Sequence, residues 1–531
     1  MFHFYSQREK YPKKFLLIGS VVLLVLIASV YAQTLTYGFI NLDDPSLVTE
    51  NTTIQAISLH TVGRAFTTYD PELYVPFTLL SYQLDWFMGN GAAWVFHLTN
   101  ILLHMGSTLL VMGLILQLRP RKYLPAFLGA AVFAVHPAHA DTVVWVSSRK
   151  DLLSTVFLLG SLLMYLKYQK NMRQQWLGTS IILFAFALLS KVTVLLLPLT
   201  FPFFMYAQGQ ATDRSQIKKT YVHLWPFLVY SFIFAAIALH GKTQLLHNNP
   251  VTETLPIVPY GILFSLGKIL VPVHLTLAYP YLVPVAWTSP LLIASLVLCL
   301  IIFGSIFFIK KKYLLPLSAF VFFLLALSPS LSNLSTNGIH FITTNRYLYL
   351  PSIGLIIFCS IWLSDILNTK MIRKYALYAD VFLLIIFTYM SVRQAGLWRD
   401  PLILFTHMEQ LYPRFYLPSY VRGTEWADKN EWRAAVREYE HSLALHPRNA
   451  DGWSNLGAAY AHFGRTADET ETYRKALAID PHMLAARLNL GMAFMDQKKF
   501  PEAKNQLEEV LRQNPGNAMA EELLKQLASK P

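Results

Sequence analysis

Long runs of apolar residues dominate the first 400 positions, whereas residues 401–531 mix apolar and charged residues at helical spacing. A helix needs about 20 apolar residues to cross a bilayer. Eleven runs approach this length and predict membrane-spanning helices: 15–33, 95–117, 123–138, 152–167, 177–190, 192–207, 222–240, 290–309, 313–328, 351–366 and 375–392. The pattern therefore predicts an all-α fold, a polytopic membrane bundle of about 11 spans followed by a soluble helical domain.

Basic residues follow the even-numbered runs and so set the orientation. The clusters are Arg119/Arg121/Lys122, Lys167/Lys170/Arg173, Lys218/Lys219, Lys310–Lys312 and Lys370/Arg373/Lys374. The positive-inside rule makes these turns cytoplasmic, with the N-terminus inside and residues 401–531 extracytoplasmic, in a periplasm or its equivalent. The first run follows basic residues as a signal peptide would, but its length favours a retained helix.

Residues 257–275 are apolar enough to form another span, yet counting them would move Lys310–Lys312 to the outside. Lys268, Pro259 and Pro272 also suit a helix lying in the membrane interface. The interfacial interpretation keeps every basic cluster on one side, and we adopt it.

Composition changes this picture little. Only 14% of residues are charged, against about 25% in soluble proteins. The net charge of +13 comes from clusters at the ends of apolar runs, which does not indicate nucleic-acid binding. The two cysteines lie inside apolar runs, so a disulfide framework is not expected.

A 34-residue repeat organises the C-terminal domain. Pro413, Pro447, Pro481 and Pro515 recur at this spacing, and WSNLGAAY (453–460) fits the core of a tetratricopeptide repeat (TPR). Gly423, Gly457 and Gly491 share one column, where two helices approach closely. Residues 401–531 thus predict three repeats plus a capping helix, with a groove for a peptide or partner helix. The alternative is a spacer or oligomerisation module.

The first external loop, residues 34–94, carries Asp43 and Asp44 just beyond the first span. A carboxylate there can accept a proton from an attacking hydroxyl or hold a divalent cation. On spacing alone, a turn or helix cap before Pro45 is the favoured interpretation.

A second cluster joins His136, His139 and Asp141 to Arg149, Lys150 and Asp151. Unpaired charge at a membrane end is costly, so these groups must pair with each other or with a ligand. His139 with Asp43 and Asp44 is a candidate metal site. The alternative is a hydrogen-bonded network that braces the turn.

A third cluster places Arg346 beside Tyr347 and Tyr349, where it forms either an aromatic-belt anchor or a clamp for a phosphate. Lys191 and Arg149 are two further candidates for the same phosphate. Few acids face these three cations in the sequence, which favours an anionic ligand over internal pairing.

Seven blocks in this order resemble the C-type (GT-C) membrane glycosyltransferases, most closely the transmembrane-and-TPR (TMTC-like) family related to protein O-mannosyltransferases. The blocks are NLDDPSLVTEN (41–51), FHLTNILLH (96–104), HPAHADTVVWVSSRKDLLS (136–154), ALLSK (187–191), LGKILVPVHLTLAYPY (266–281), NRYLYLPSIG (345–354) and LWRDPLILF (397–405). Together they cover nearly the whole chain and imply a GT-C-like domain over 1–400.

The resemblance implies a polyprenyl- or dolichyl-phosphate sugar donor, with transfer outside the cytoplasm and mannose as the sugar. It implies that Asp43 and Asp44 are catalytic and that Arg346, Lys191 or Arg149 stabilise the departing lipid phosphate. His136, His139, Asp141, Lys150, Asp151, Tyr347 and Tyr349 would support the site. Asp141 departs from the family's glutamate, which keeps the carboxylate but shortens its reach.

We therefore expect an inverting glycosyltransferase that acts on a hydroxyl, of a protein Ser or Thr, captured through the TPR groove. One alternative is a non-catalytic, membrane-anchored TPR scaffold for envelope or complex assembly. Another is a ligase acting on glycan. Convergence of Asp43, Asp44, His139, Arg149 and Arg346 on one cavity would favour the enzyme, and scatter would favour the scaffold.

Overall fold

The computed structural model describes residues 12–69, 73–207, 214–242, 255–282, 288–306, 314–332, 335–336, 339–367 and 370–528. The chain divides into two compact units, which we call the membrane unit (Met1–Arg399) and the repeat unit (Asp400–Pro531). Each is described by itself.

Apolar helices build the membrane unit, and the all-α class is confirmed. Its longer helices are Pro12–Tyr31, Pro76–Gly89, Ala93–Leu118, Tyr123–Ala134, Arg149–Asn171, Gln174–Ser190, Arg214–Lys242, Ile257–Leu270, Pro290–Ile306, Leu314–Leu327, Tyr349–Ile366 and Lys370–Leu397. Shorter helical segments are Ala32–Thr36, Pro45–Thr49, Leu59–Thr67, Pro137–His139, Ala140–Val144, Val146–Ser148, Val192–Val194, Leu197–Thr200, Phe201–Ala207, Ser328–Ser332 and Asn345–Leu348.

Each of the 11 predicted spans coincides with helical residues, but not every one is long enough to cross a membrane. Among the described residues, seven helices meet the length and apolarity required, or eight if the bent pair Tyr123–Ala134 and Pro137–Val144 is one span. The segment 192–207 is broken into three pieces, because Pro198 and Pro202 remove backbone donors. The total of 11 stays a prediction, and Lys310–Lys312 lie outside the described residues.

The ambiguous segment forms a single helix, Ile257–Leu270. Its 14 residues extend about 21 Å, whereas the hydrocarbon core is about 30 Å thick. This length suits the interfacial interpretation, which remains a prediction.

A sharp bend follows the helix Tyr123–Ala134. Pro137 begins the next helical segment, and the two helices meet at 51°. Three short segments then lead to the long helix that begins at Arg149. This bend buries the polar stretch 136–151 inside the unit.

A small antiparallel sheet includes the residues that directly precede Asn345. Its strands are Ala278–Tyr281, Ser335–Thr336 and Ile339–Thr344, and the last of these lies in the centre. Tyr279 donates a hydrogen bond of 2.6 Å to the Asn345 side chain. The sheet therefore fixes the backbone immediately before Arg346.

The repeat unit contains three antiparallel helix pairs and a final capping helix, after an initial helix Pro401–Leu411. The pairs are Leu417–Asp428 with Trp432–Leu445, Ala450–Ala461 with Thr466–Ile479, and Leu484–Asp496 with Phe500–Gln513, and the cap is Ala518–Ala528. The predicted TPR solenoid is confirmed by this arrangement.

The recurring glycine marks close helix contact, as the repeat pattern predicts. A Cβ atom on Gly423 would lie 2.6 Å from the Tyr439 ring, and one on Gly457 would lie 2.8 Å from the Tyr473 ring. Any larger residue would therefore push the two helices of a pair apart.

Arg422 forms the main buried ion cluster of the repeat unit. Its guanidinium lies 2.7 Å from Glu409 and 2.8 Å from Glu438. Burial alone would raise the pKa of Glu409, but the hydrogen bond and charge of Arg422 hold that pKa below its ordinary value. The cluster ties the initial helix to the first repeat.

Candidate functional site

The two adjacent aspartates of the first loop have different surroundings. The Asp44 side chain is buried, and its two oxygens accept hydrogen bonds from the backbone N–H groups of Ile40, at 3.0 Å, and Ser147, at 3.1 Å. The Ser147 hydroxyl donates a further short bond to the same carboxylate. Burial raises the pKa of Asp44 to about 6, although these hydrogen bonds oppose the shift. Asp44 therefore joins the first loop to the turn before Arg149.

Asp43 points instead towards cations. Its side chain is 41% exposed, and Oδ2 lies 3.2 Å from the Arg346 guanidinium and 3.9 Å from the Lys150 ammonium. A carboxylate that is both accessible and held by charge can contact a substrate. Of the two predicted catalytic residues, Asp43 alone has this geometry.

Two aromatic rings hold the Arg346 guanidinium in place. Its central carbon lies 4.7 Å from the Trp145 ring centroid and 5.2 Å from that of Tyr347. Stacking fixes the plane of a guanidinium and leaves its N–H groups directed sideways, where they can bind a carboxylate or a phosphate.

A small cavity, partly open to solvent, lies beside Arg346. Ionisable, hydroxyl and apolar side chains line it: Asp151, Ser154, Lys191, Thr193, Ala326, Ser330, Arg346, Tyr347, Leu350 and Pro351. The Lys191 ammonium lies 2.5 Å from Asp151 and 5.1 Å from the Tyr347 ring centroid. Two of the three predicted phosphate-binding cations thus line one cavity.

Arg149, the third predicted cation, does not line this cavity. Its side chain is fully buried and forms an ion pair of 2.5 Å with Asp85. It also donates to the Asn100 side chain, at 2.9 Å, and to the Phe96 carbonyl, at 2.8 Å. These contacts occupy the guanidinium. Arg149 therefore belongs to an internal network, and its predicted role in phosphate binding is not supported.

The expectation that few acids face the three cations is also wrong. Each one has an aspartate partner in the folded chain, because Asp43, Asp151 and Asp85 pair with Arg346, Lys191 and Arg149 respectively. The two partners of each pair are at least 40 positions apart in the sequence. Their pairing depends on the fold and could not be read from local spacing.

The two histidines of the bend act as structural hydrogen-bonding groups. His136 Nε2 donates to the Ile269 carbonyl at 2.8 Å and so ties the helix Ile257–Leu270 to the bend. The His139 ring contacts the Phe133 carbonyl at 2.9 Å and the Ser352 hydroxyl at 2.8 Å. Both nitrogens of His139 are engaged.

The predicted metal ligands therefore do not come together. Asp43 faces Arg346, Asp44 accepts from backbone amides, and His139 lies in the buried network. In the part of the chain that the structure describes, no group of three His, Cys, Asp or Glu side chains could hold a metal ion. The alternative interpretation, a network that braces the turn, fits His136 and His139.

Asp141 positions the segment that carries Arg346. One of its oxygens accepts from Asn345 at 2.8 Å, and the other accepts from Trp398 at 2.8 Å and Gln394 at 3.2 Å. The Trp398 ring also packs against Trp145, with 5.5 Å between centroids. Asp141 thus acts on the site through Asn345 rather than directly.

The remaining predicted residue, Tyr349, hydrogen-bonds to His104 at 2.8 Å inside the bundle. Sequence reasoning missed Ser147, Trp145 and Asn345 as contributors to the site. Asn345 and Trp145 lie within the motifs that contain Arg346 and Arg149, which was an available signal. Ser147 also lies within the motif that contains Arg149, but its contact with the distant Asp44 depends on the fold.

Only some of the predicted site residues therefore come together. Asp43, Lys150 and Arg346 are in contact, and Arg346 shares a cavity with Lys191. Asp44, His139 and Arg149 lie in separate buried networks.

Comparisons with known proteins agree with the sequence motifs. Two tetratricopeptide repeat family models match residues 420–483 and 470–527. The chain is 27% identical to the human protein O-mannosyl-transferase TMTC4, over 69% of this chain and 57% of that protein. It is 24% identical to the Caenorhabditis elegans protein O-mannosyl-transferase F38B6.6, over 77% of this chain and 54% of that protein.

A shorter match, to the Drosophila melanogaster protein O-mannosyl-transferase Tmtc2, is 32% identical over 34% of this chain and 20% of that protein. Among solved structures, the Arabidopsis OM64 TPR domain is similar, with 24% identity, a TM-score of 0.21, and coverage of 21% of this chain and 93% of that one. The chain spans about half the length of the longer curated matches. The predicted resemblance to the transmembrane-and-TPR family is confirmed.

Proposed function

We propose that the protein is a membrane glycosyltransferase that moves one sugar, mannose, from a polyprenyl- or dolichyl-phosphate donor to a protein Ser or Thr hydroxyl. The observation that carries this proposal is the contact between the accessible Asp43 carboxylate and Arg346, whose guanidinium lines a cavity with Lys191. The names of the relatives support the class of reaction.

In the proposed step, the acceptor hydroxyl oxygen attacks C1 of the sugar as the bond from C1 to the phosphate oxygen breaks. Asp43 takes the hydroxyl proton, and the lipid phosphate leaves with the electron pair of the broken bond. Arg346 and Lys191 stabilise the charge that develops on the leaving phosphate. A single displacement of this kind inverts the configuration at C1.

Charge balance supports a donor with one negative charge. The charged side chains that line the cavity are those of Arg346, Lys191 and Asp151, so two cations and one carboxylate leave one positive charge. A lipid-phosphate sugar is a phosphodiester and carries one negative charge. A nucleotide sugar carries two phosphates and would leave the site negative.

The proposal places the reaction on the extracytoplasmic side. The basic clusters at the opposite ends of the helices support this orientation under the positive-inside rule. The repeat unit would lie on the same side, where its groove would hold the acceptor protein.

A transfer assay tests the proposal. Purified protein in lipid nanodiscs receives radiolabelled polyprenyl-phosphate mannose and a mixture of Ser- and Thr-containing peptides, with and without EDTA. We expect labelled peptide from the wild type and a loss of about 10-fold or more in kcat/KM for Lys191→Met, which removes one charge-assisted contact to the phosphate.

Glu50→Gln is the matched control, since Glu50 is an exposed acid of the same first loop. The absence of transfer across a panel of lipid-phosphate sugars and acceptors would contradict the proposal and favour the TPR scaffold. Loss of activity with EDTA would add a metal to the mechanism.

A further inference from the structure

Arg346 is paired with an internal anion. Its guanidinium lies 3.2 Å from Asp43 Oδ2, at one edge of the cavity that would receive the lipid phosphate. The two rings of Trp145 and Tyr347 restrict the guanidinium plane. A guanidinium held in this way has a limited set of N–H directions, so a carboxylate and a phosphate compete for them.

We infer that Asp43 is a resting counterion of Arg346, which the donor phosphate displaces, so that donor binding itself releases the carboxylate as the base for the acceptor. This inference rests on the proposed function and adds an order of events to it. The donor binds first, and only then does Asp43 become available to the acceptor hydroxyl.

The exposure of the three aspartates indicates which ion pair can exchange. The side chain of Asp43 is 41% exposed, that of Asp151 is 11% exposed and that of Asp85 is 2% exposed. A carboxylate that loses its cation must be solvated by water, and a buried one cannot be without a large penalty. The pair formed by Asp43 and Arg346 is therefore the one that can separate at small cost.

Lys150 completes the arrangement. It lies 3.9 Å from the same oxygen of Asp43 and does not line the cavity. When Arg346 turns to the phosphate, Lys150 remains as a second, more distant cation for the carboxylate. An opposite charge at hydrogen-bond distance weakens a carboxylate as a proton acceptor, so the exchange makes the base stronger when the donor is present.

The inference makes an unusual prediction about donor affinity. If Asp43 competes with the phosphate for Arg346, removal of its charge must tighten donor binding although it abolishes transfer. Partly exposed ion pairs contribute little, so we expect Asp43→Asn to bind the donor more tightly by a factor of up to about five. A base that only contacts the acceptor would leave donor affinity unchanged.

The experiment measures the retention of radiolabelled polyprenyl-phosphate mannose by the full-length protein in nanodiscs at low temperature, with no acceptor. The variants are wild type, Asp43→Asn, Glu50→Gln, Arg346→Gln and the double variant of Asp43→Asn with Arg346→Gln. Glu50→Gln removes a negative charge from the same loop and controls for general electrostatic attraction. In the double variant the gain should vanish, because the shared cation is absent.

Each outcome decides the matter. Tighter binding by Asp43→Asn alone, lost in the double variant, supports the exchange. Equal or weaker binding by Asp43→Asn, when the wild type binds the donor, overturns the exchange and leaves the proposed function intact. An absence of donor binding by the folded wild type overturns both. Asp43→Ser removes the same carboxylate and provides a second variant if Asp43→Asn does not fold.

Discussion

The contrast between Asp43 and Asp44 makes the sharpest prediction about catalysis. Both residues are acidic and adjacent, and replacement by asparagine changes neither volume nor shape. The structure nevertheless gives them separate roles, since Asp43 is accessible and contacts two cations whereas Asp44 is buried against backbone amides. The two isosteric variants should therefore fail in different ways.

The losses of sugar transfer expected for the two variants differ in size. General base catalysis contributes about 10²- to 10⁴-fold to a rate, so Asp43→Asn should lose transfer by about that factor. Asp44→Asn retains one acceptor oxygen and loses one hydrogen bond to a charged group, which is worth about 1.5–3 kcal/mol. Because Asp44 braces the loop and does not face the cavity, most of that energy should appear as lost stability in thermal unfolding, with a much smaller loss of transfer than in Asp43→Asn.

The assay compares kcat for sugar transfer at saturating donor, with both variants checked for folding by size-exclusion chromatography and thermal unfolding. Glu50→Gln serves as the common control, because it changes a charge in the same loop without touching Arg346. If folded Asp44→Asn lost all transfer and Asp43→Asn retained it, the assignment of Asp43 as base would be refuted.

Three further outcomes are expected. Arg346→Lys keeps the charge but loses the planar, stacked guanidinium, so the KM for the donor should rise about 10-fold with a smaller change in kcat, and an unchanged KM would contradict this. Because the pKa of Asp44 is raised to about 6, the folded state binds its proton more tightly than the unfolded state. The unfolding free energy of the wild type minus that of Asp44→Asn should therefore grow by about 2 kcal/mol as the pH falls from about 7.5 to 4, whereas a flat difference would argue against it. Arg422→Met leaves Glu409 and Glu438 without their shared cation and should destabilise the repeat unit by about 1–2 kcal/mol in calorimetry, with Arg422→Lys losing less.

The helices of both units could be predicted from the sequence because they have local signals, whereas the small sheet that includes Ile339–Thr344 was not predicted. Apolar runs predict the helices of the membrane unit, and a 34-residue period predicts the helix pairs of the repeat unit. The column of Gly423 and Gly457 even identifies the close contact with the paired helix. The boundaries were less predictable at 192–207, where proline breaks an apolar run that otherwise has the length of a span.

The candidate site was only partly predictable, since its distinctions depend on long-range contacts. Sequence reasoning selected Asp43, Arg346 and Lys191 correctly as neighbours of one region, and the structure brings the first two into contact. It also selected Arg149, because nothing near Arg149 in the sequence reveals Asp85, which lies 64 positions earlier and pairs with it at 2.5 Å. Local spacing shows which charges exist, but the fold decides which of them is already satisfied.

The aspartates that pair with these cations also help to explain how a phosphate-binding site can be stable beside a membrane. Unpaired cations beside hydrocarbon are costly, so a cluster such as Arg346 and Lys191 cannot remain empty and uncompensated between catalytic cycles. Counterions such as Asp43 and Asp151 remove that cost, and therefore an internal ion pair is no argument against anion binding at the same cation. The decisive property is whether the counterion can return to water. By that criterion Arg346 can exchange its partner, and Arg149, whose partner Asp85 is almost completely buried, cannot.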